Sequence, residues 1–182
     1  MAKERKIDMV ILGLLSHDNM TGYDIKKQID NGIRFFWKGS FGSIYPALTS
    51  LEENNLICKV LDVNNKSGRE KIQYAITDGG RKCLMEWLSD NQSINEIKYE
   101  MLLKLFFGGV VTNEVSIATI EEFERTISKE LSVLTMYKEN LSKALNERDH
   151  MFFYLTVSFG VETYEGYLRW CKDAKKILSK AK

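Results

Sequence analysis

The chain contains one proline, Pro46, and three cysteines, Cys58, Cys83 and Cys171, in 182 residues. The cysteines are odd in number, scattered and without CxxC spacing. That argues against a disulfide framework or a cysteine zinc site and fits reduced cytosolic thiols that pack as small apolar residues. No apolar run approaches the roughly 20 residues that a membrane helix needs. The opening MAKERK-IDMVILGLL is interrupted by Asp8 and leads to SHDN, not to a small-residue cleavage site, so a cytoplasmic protein with no membrane association is expected. A bulk basic coat is also missing. Residues 1–91 hold 13 Lys/Arg against 12 Asp/Glu and residues 92–182 hold 13 against 13, for a net charge of +1. Any affinity for nucleic acid must therefore come from local placement of charge, and a histone-like role is excluded. No nucleophile–base pair, glycine-rich phosphate loop or metal-ligand cluster stands out, so neither catalysis nor a cofactor is expected. The two histidines, His17 and His150, read as caps or solvated residues near helix ends.

What is present is apolar periodicity, on a composition that is 44% hydrophobic. Ile7, Val10, Ile11, Leu14 and Leu15 recur at helical spacing. Thr21, with Asp24 three residues on, predicts the start of a second helix that brings Tyr23, Ile25 and Ile29 inward and stops at Asn31-Gly32. The aromatic segment IRFFWKG fits no regular pattern. Ser40 is the expected cap of a third helix with Ile44, Ala47, Leu48 and Leu51 inward. Pro46 must bend that helix or delay its regular start. Residues 56–63 and 71–76 have the alternation of paired strands around the turn residues Asn64 to Gly68. Thr77 caps a fourth helix with Leu84, Trp87 and Leu88 on its inner side.

The chain turns polar near Asp90–Ser93, and the domain boundary is placed there: 1–91 and 92–182. The second half reads as all helical: a short helix over 96–107, a long one from about Asn113 to Asp149, and a last one from about His150 to Lys180. Ile120, Ile127, Leu134 and Leu141 are spaced by sevens, which calls for a long antiparallel or coiled-coil-like partner. The apolar surplus of these helices predicts a dimer. The run from Lys172 to Lys182 reads as a solvated helix face.

The order helix, helix, helix with small hydroxylated opening residues, then a two-stranded wing, outlines a winged helix-turn-helix. The chain resembles the PadR family of bacterial transcriptional regulators over nearly its whole length. The resemblance rests on G-Y-D-I at 22–25, S-F-G-S-I-Y-P-A-L at 40–48, L-E-x-x-x-L-I at 51–57 and G-R-x-K-x-x-Y-x-I-T-x-x-G at 68–80. In the second half it rests on F-G-x-x-x-Y-x-x-Y-x-x-W at 159–170. It implies a mainly α fold with a small β-wing, in which an N-terminal winged helix-turn-helix DNA-binding domain is followed by an all-α antiparallel helical dimerisation domain, as in the larger PadR subfamily. The implied role is sequence-specific repression by a homodimer on a pseudo-palindromic operator in double-stranded DNA. Two positions depart from the family pattern. Asn55 stands where glycine is common and can adopt the same left-handed backbone. Glu70-Lys71 follow Arg69 where a second arginine is common, which weakens the wing's phosphate contacts.

A recognition helix needs short hydrogen-bonding side chains close to base edges. Ser40, Gly42, Ser43 and Tyr45 meet that need, with Lys38 beside them for a phosphate. Lys66, Gly68, Arg69 and Lys71 form the candidate wing contact to flanking phosphates or the minor groove. Ser40 also serves as a cap and Tyr45 has the alternative of packing in the core, while Tyr74 is read as structural. Phe107, Phe153, Tyr164, Tyr167 and Trp170 are candidates for an effector pocket between the two domains. The resemblance adds a small aromatic effector, because some PadR members bind phenolic ligands, and the alternative is simple core and dimer packing. A winged-helix interaction module without DNA binding, and a carrier using the aromatic cavity, are the competing functions.

Overall fold

The computed structural model describes residues 6–37, 43–61, 72–91, 93 and 99–180. The chain forms two compact units, Met1–Asn95 and Glu96–Lys182. In the first unit α1 (Lys6–Leu15), α2 (Gly22–Asn31), a 3-10 turn (Ile33–Phe35) and α3 (Ile44–Glu53) precede strands β1 (Ile57–Leu61) and β2 (Ile72–Ile76), and α4 (Asp78–Ser89) closes the unit. One apolar cluster holds it together: Ile11, Leu12 and Leu15 of α1 meet Ile25 and Ile29 of α2, Ile44, Ala47, Leu48 and Leu51 of α3, Ile57 and Leu84.

Local chemistry sets each boundary. Thr21 Oγ1 accepts the Asp24 amide at 3.1 Å and the Asp24 carboxylate accepts the Thr21 amide at 3.2 Å, a reciprocal capping box that opens α2. α3 opens at Ile44 with Ser43, not Ser40, in the N-cap position, and Ser43 makes no side-chain cap bond. This late start places Pro46 at the third helical position, where an amide has no helical partner to lose. Asn55 has φ 57°. Its amide bonds the Glu52 carbonyl at 2.9 Å and the Leu56 amide bonds the Leu51 carbonyl at 2.9 Å, which ends α3 in a left-handed turn.

The strands pair antiparallel from Ile57↔Ile76 to Leu61↔Ile72. Met20, between α1 and α2, adds a single bridge to Tyr74, with amide–carbonyl bonds of 3.2 and 2.8 Å. Tyr74 is half-buried against the core, as a structural residue. Thr77 Oγ1 accepts the Gly80 amide at 3.1 Å to open α4, and donates to the Asn55 carbonyl at 2.7 Å. The inner face of α4 is narrower than expected: Leu84 is buried, but Trp87 and Leu88 are exposed. Tyr23 is likewise exposed, since Ile25 and Ile29 already fill the inner stripe of α2. Cys58 is exposed on β1, Cys83 is partly buried and Cys171 fully buried.

The second unit comprises α5 (Glu100–Phe106), a 3-10 turn (Gly108–Val110), α6 (Asn113–Leu141), a 3-10 turn (Ser142–Ala144) and α7 (Arg148–Leu178). α6 ends eight residues before the expected Asp149. The Ser142 hydroxyl bonds the Glu139 carbonyl at 2.7 Å, the chain tightens into the 3-10 turn, and α7 then returns antiparallel. The heptad partner is thus α7 of the same chain. Ile120, Ile127 and Leu134 are buried along the seam, while Leu141 at its end is half-buried. Across from them lie Val161 and Cys171, and Gly160 lets Leu134 come close. The Asn113 side-chain Nδ2 donates to the Leu178 carbonyl at 3.1 Å, and Lys175 pairs with Glu124, so the basic C-terminal face is partly anchored instead of simply solvated. Several aromatics of these helices stand exposed in the single chain: Phe106, Phe107, Phe152, Phe153 and Phe159.

Candidate nucleic-acid interface

α3 divides its residues cleanly. Ile44, Ala47, Leu48 and Leu51 are buried, so Tyr45, Pro46, Thr49 and Glu53 form the outward face. Tyr45 is 64% exposed, and that position decides between the two sequence readings in favour of a surface phenol. Its ring is nevertheless seated: a Cβ built on Gly22 would lie 3.0 Å from Tyr45 Cε1. Thr49, one turn further along the same face, has a hydroxyl 3.2 Å from the Tyr45 carbonyl. Ser43 stands at the head of the helix. Glu52, which could repel phosphate, is engaged by Lys59 of β1 at 2.7 Å, and that hydrogen bond raises the Lys59 pKa.

Of the residues proposed from sequence, Ser43 and Tyr45 are thus brought onto one helix end. Lys38, Ser40 and Gly42, and the wing residues Lys66, Gly68, Arg69 and Lys71, lie outside the described residues. Two surface candidates were not legible as such. Thr49 follows from its i, i+4 relation to Tyr45 once the inner face is assigned. Tyr23, 69% exposed at the first turn of α2, sits next to the glycine that seats Tyr45, and only that contact draws attention to it.

In the second unit Tyr164 and Tyr167 come together. Their rings stack at 5.7 Å, and Tyr99 and Phe123 each lie 5.8 Å from the Tyr167 ring. The Tyr164 hydroxyl donates to Glu130 Oε2 at 2.9 Å, and the Tyr99 and Tyr167 hydroxyls are hydrogen-bonded to each other. Burial, followed by the bond to Tyr99, pushes the Tyr167 pKa up to about 12. Burial and the bond to Glu130 raise that of Tyr164 further. Both phenols therefore act as neutral hydrogen-bonding groups. Of the other candidates, Phe107 is edge-on to Phe106 and Phe153 is near His150, while Trp170, one turn beyond Tyr167 on α7, is partly exposed. Among the described residues no group of three or more His, Cys, Asp or Glu could hold a metal ion, and no helix is long and apolar enough to cross a membrane.

Comparison with known proteins follows the same division. Residues 11–86 match the transcriptional regulator PadR-like family, and residues 97–179 match a virulence activator alpha C-terminal domain. The negative transcriptional regulator PadR of Bacillus subtilis is 26% identical over 184 residues, covering 97% of this chain and 99% of its own. The crystal structure of B. subtilis PadR in complex with operator DNA superposes with a TM-score of 0.82, covering 96% of this chain and 99% of that one. The same protein in complex with p-coumaric acid gives a TM-score of 0.76 at the same coverage.

Proposed function

Because the chain belongs to the PadR-like family of transcriptional regulators, we propose that it binds operator DNA as a homodimer and represses transcription from it. The observation that carries this reading is the outward face of α3, where Tyr45 and Thr49 stand over a fully apolar inner face. Ser43, Tyr45 and Thr49 read base edges or adjacent phosphates. Lys38, Ser40 and Gly42 precede them in sequence, and Lys66, Gly68, Arg69 and Lys71 supply the wing's contact to flanking backbone. The roles follow the division at residues 91–92, with DNA binding before it and dimerisation after it. The exposed apolar residues of α5 and α7 are the dimer surface, and a twofold axis then sets half-sites about 34–36 Å apart or a multiple of that. The protein works in the cytoplasm, where its operator is, and performs no catalysis of its own.

A phenolic effector is proposed by similarity to the p-coumaric acid complex of B. subtilis PadR. The Tyr164–Tyr167 pair offers stacking area and hydroxyls, and Trp170, one turn away on α7, is the reporter. The test is footprinting of the full-length protein on the DNA upstream of its own and neighbouring genes, with sedimentation of the free protein. A protected pseudo-palindrome and a dimer at micromolar concentration are expected. No protection above random DNA, or a monomer, refutes the proposal. Addition of phenolic acids should release the DNA and change Trp fluorescence, and no response to any of them removes the effector.

A further inference from the structure

Gly22 occupies the first position of α2, yet it is buried. Its backbone lies outside the left-handed region, so conformational freedom does not account for a glycine there. Alanine would also favour the helix more than glycine does. What a side chain would meet is specific: Tyr45 Cε1 at 3.0 Å, Leu48 Cδ1 at 3.4 Å and Tyr45 Cζ at 3.5 Å. The tyrosine ring thus lies flush on a bare patch of α2 backbone. Most of Tyr45 is open to solvent, and Tyr23 stands exposed immediately beside its seat.

We propose that Gly22 is a positioning residue for DNA recognition: the missing side chain seats the Tyr45 ring in one orientation before DNA arrives. This rests on the DNA-binding reading above and adds a specificity determinant on α2, away from the recognition helix. An exposed tyrosine with free rotamers loses that freedom on binding, whereas one already packed against α2 has lost part of it during folding. A methyl group at residue 22 crowds Tyr45 Cε1 at 3.0 Å, so the ring must shift by a few tenths of an ångström from its seat. Because the clash is with the movable ring, the fold tolerates it.

The experiment is a double-mutant cycle of Gly22→Ala and Tyr45→Ala in the full-length protein, with operator and random-sequence DNA measured for each, alongside the thermal midpoint. Gly22→Ala should weaken operator binding about tenfold, within the range of one lost base contact, and leave random-DNA affinity within about twofold. In the Tyr45→Ala background the same change should have no further effect, because the ring it displaces is gone. That background also covers the case in which Gly22→Ala alone fails to fold. Additive losses, or equal losses on operator and random DNA, overturn the proposal. If the unaltered protein has no operator, the regulator reading fails first and this inference with it.

Discussion

Replacing Gly80 by alanine places a methyl carbon 2.1 Å from the Leu56 carbonyl oxygen and 2.9 Å from Ile76 Cγ1. Ordinary contact begins near 3.4 Å, so α4 must withdraw from the wing base by up to 1.3 Å (3.4 − 2.1). The obstacle is backbone and cannot rotate aside. Three hydrogen bonds meet at this point: Thr77 amide to the Leu56 carbonyl at 3.1 Å, Gly80 amide to Thr77 Oγ1 at 3.1 Å, and Thr77 Oγ1 to the Asn55 carbonyl at 2.7 Å. Overpacking costs about 1–3 kcal/mol, and one or two weakened hydrogen bonds add about 1 kcal/mol each. The better helix propensity of alanine returns about 1 kcal/mol. The net expectation is about 1–4 kcal/mol, which lowers the melting temperature of a unit this size by roughly 4–30 °C. Gly79 is the internal control. A Cβ there lies 3.6 Å from the Asn55 carbonyl and 3.6 Å from Thr77 Oγ1, in ordinary contact, so Gly79→Ala should be neutral or slightly stabilising. Thermal and urea unfolding by circular dichroism measures both variants. A Gly80→Ala protein that melts within about 2 °C of the parent, well inside the shift that 1 kcal/mol produces, refutes the argument.

Tyr167 holds its proton up to about pH 12, above the ordinary phenol value of 10.0, so its contribution is complete below pH 10 and lost as pH rises through 12. The second unit should therefore lose stability across that window, and a phenolate absorbance titration should show late-ionising tyrosines that become ordinary on unfolding. Arg69→Ala and Lys66→Ala should each weaken all DNA about equally and reduce the slope of log K against log salt by about one, as measured by titration at several salt concentrations. Tyr45→Phe and Thr49→Ala should instead reduce discrimination between operator and random DNA by about 1–3 kcal/mol with the melting temperature little changed, as competition binding would show.

Much of what depends on neighbours within a few residues was legible in the sequence, although α3 starts behind Ser43 and not behind the expected Ser40. Thr21 with Asp24 announced the start of α2, Asn55 the left-handed stop of α3 and Thr77 the start of α4, because a cap closes its hydrogen bonds over three to five residues. The spacing by sevens of Ile120, Ile127 and Leu134 announced a seam, because a helix repeats its own face. Which surface covers such a face is another matter. Periodicity turned Tyr23, Trp87 and Leu88 inward, yet Ile25, Ile29 and Leu84 supply the buried positions of those two helices, and the other three side chains stayed outside. The seat of Tyr45 on Gly22, the closeness of Gly80 to Leu56 and the joining of Tyr99 to Tyr167 across 68 residues arise only when separate elements dock. Local hydrogen bonds are written in the order of residues; contacts between elements are selected by the volume that packing leaves, and only the tertiary structure has one.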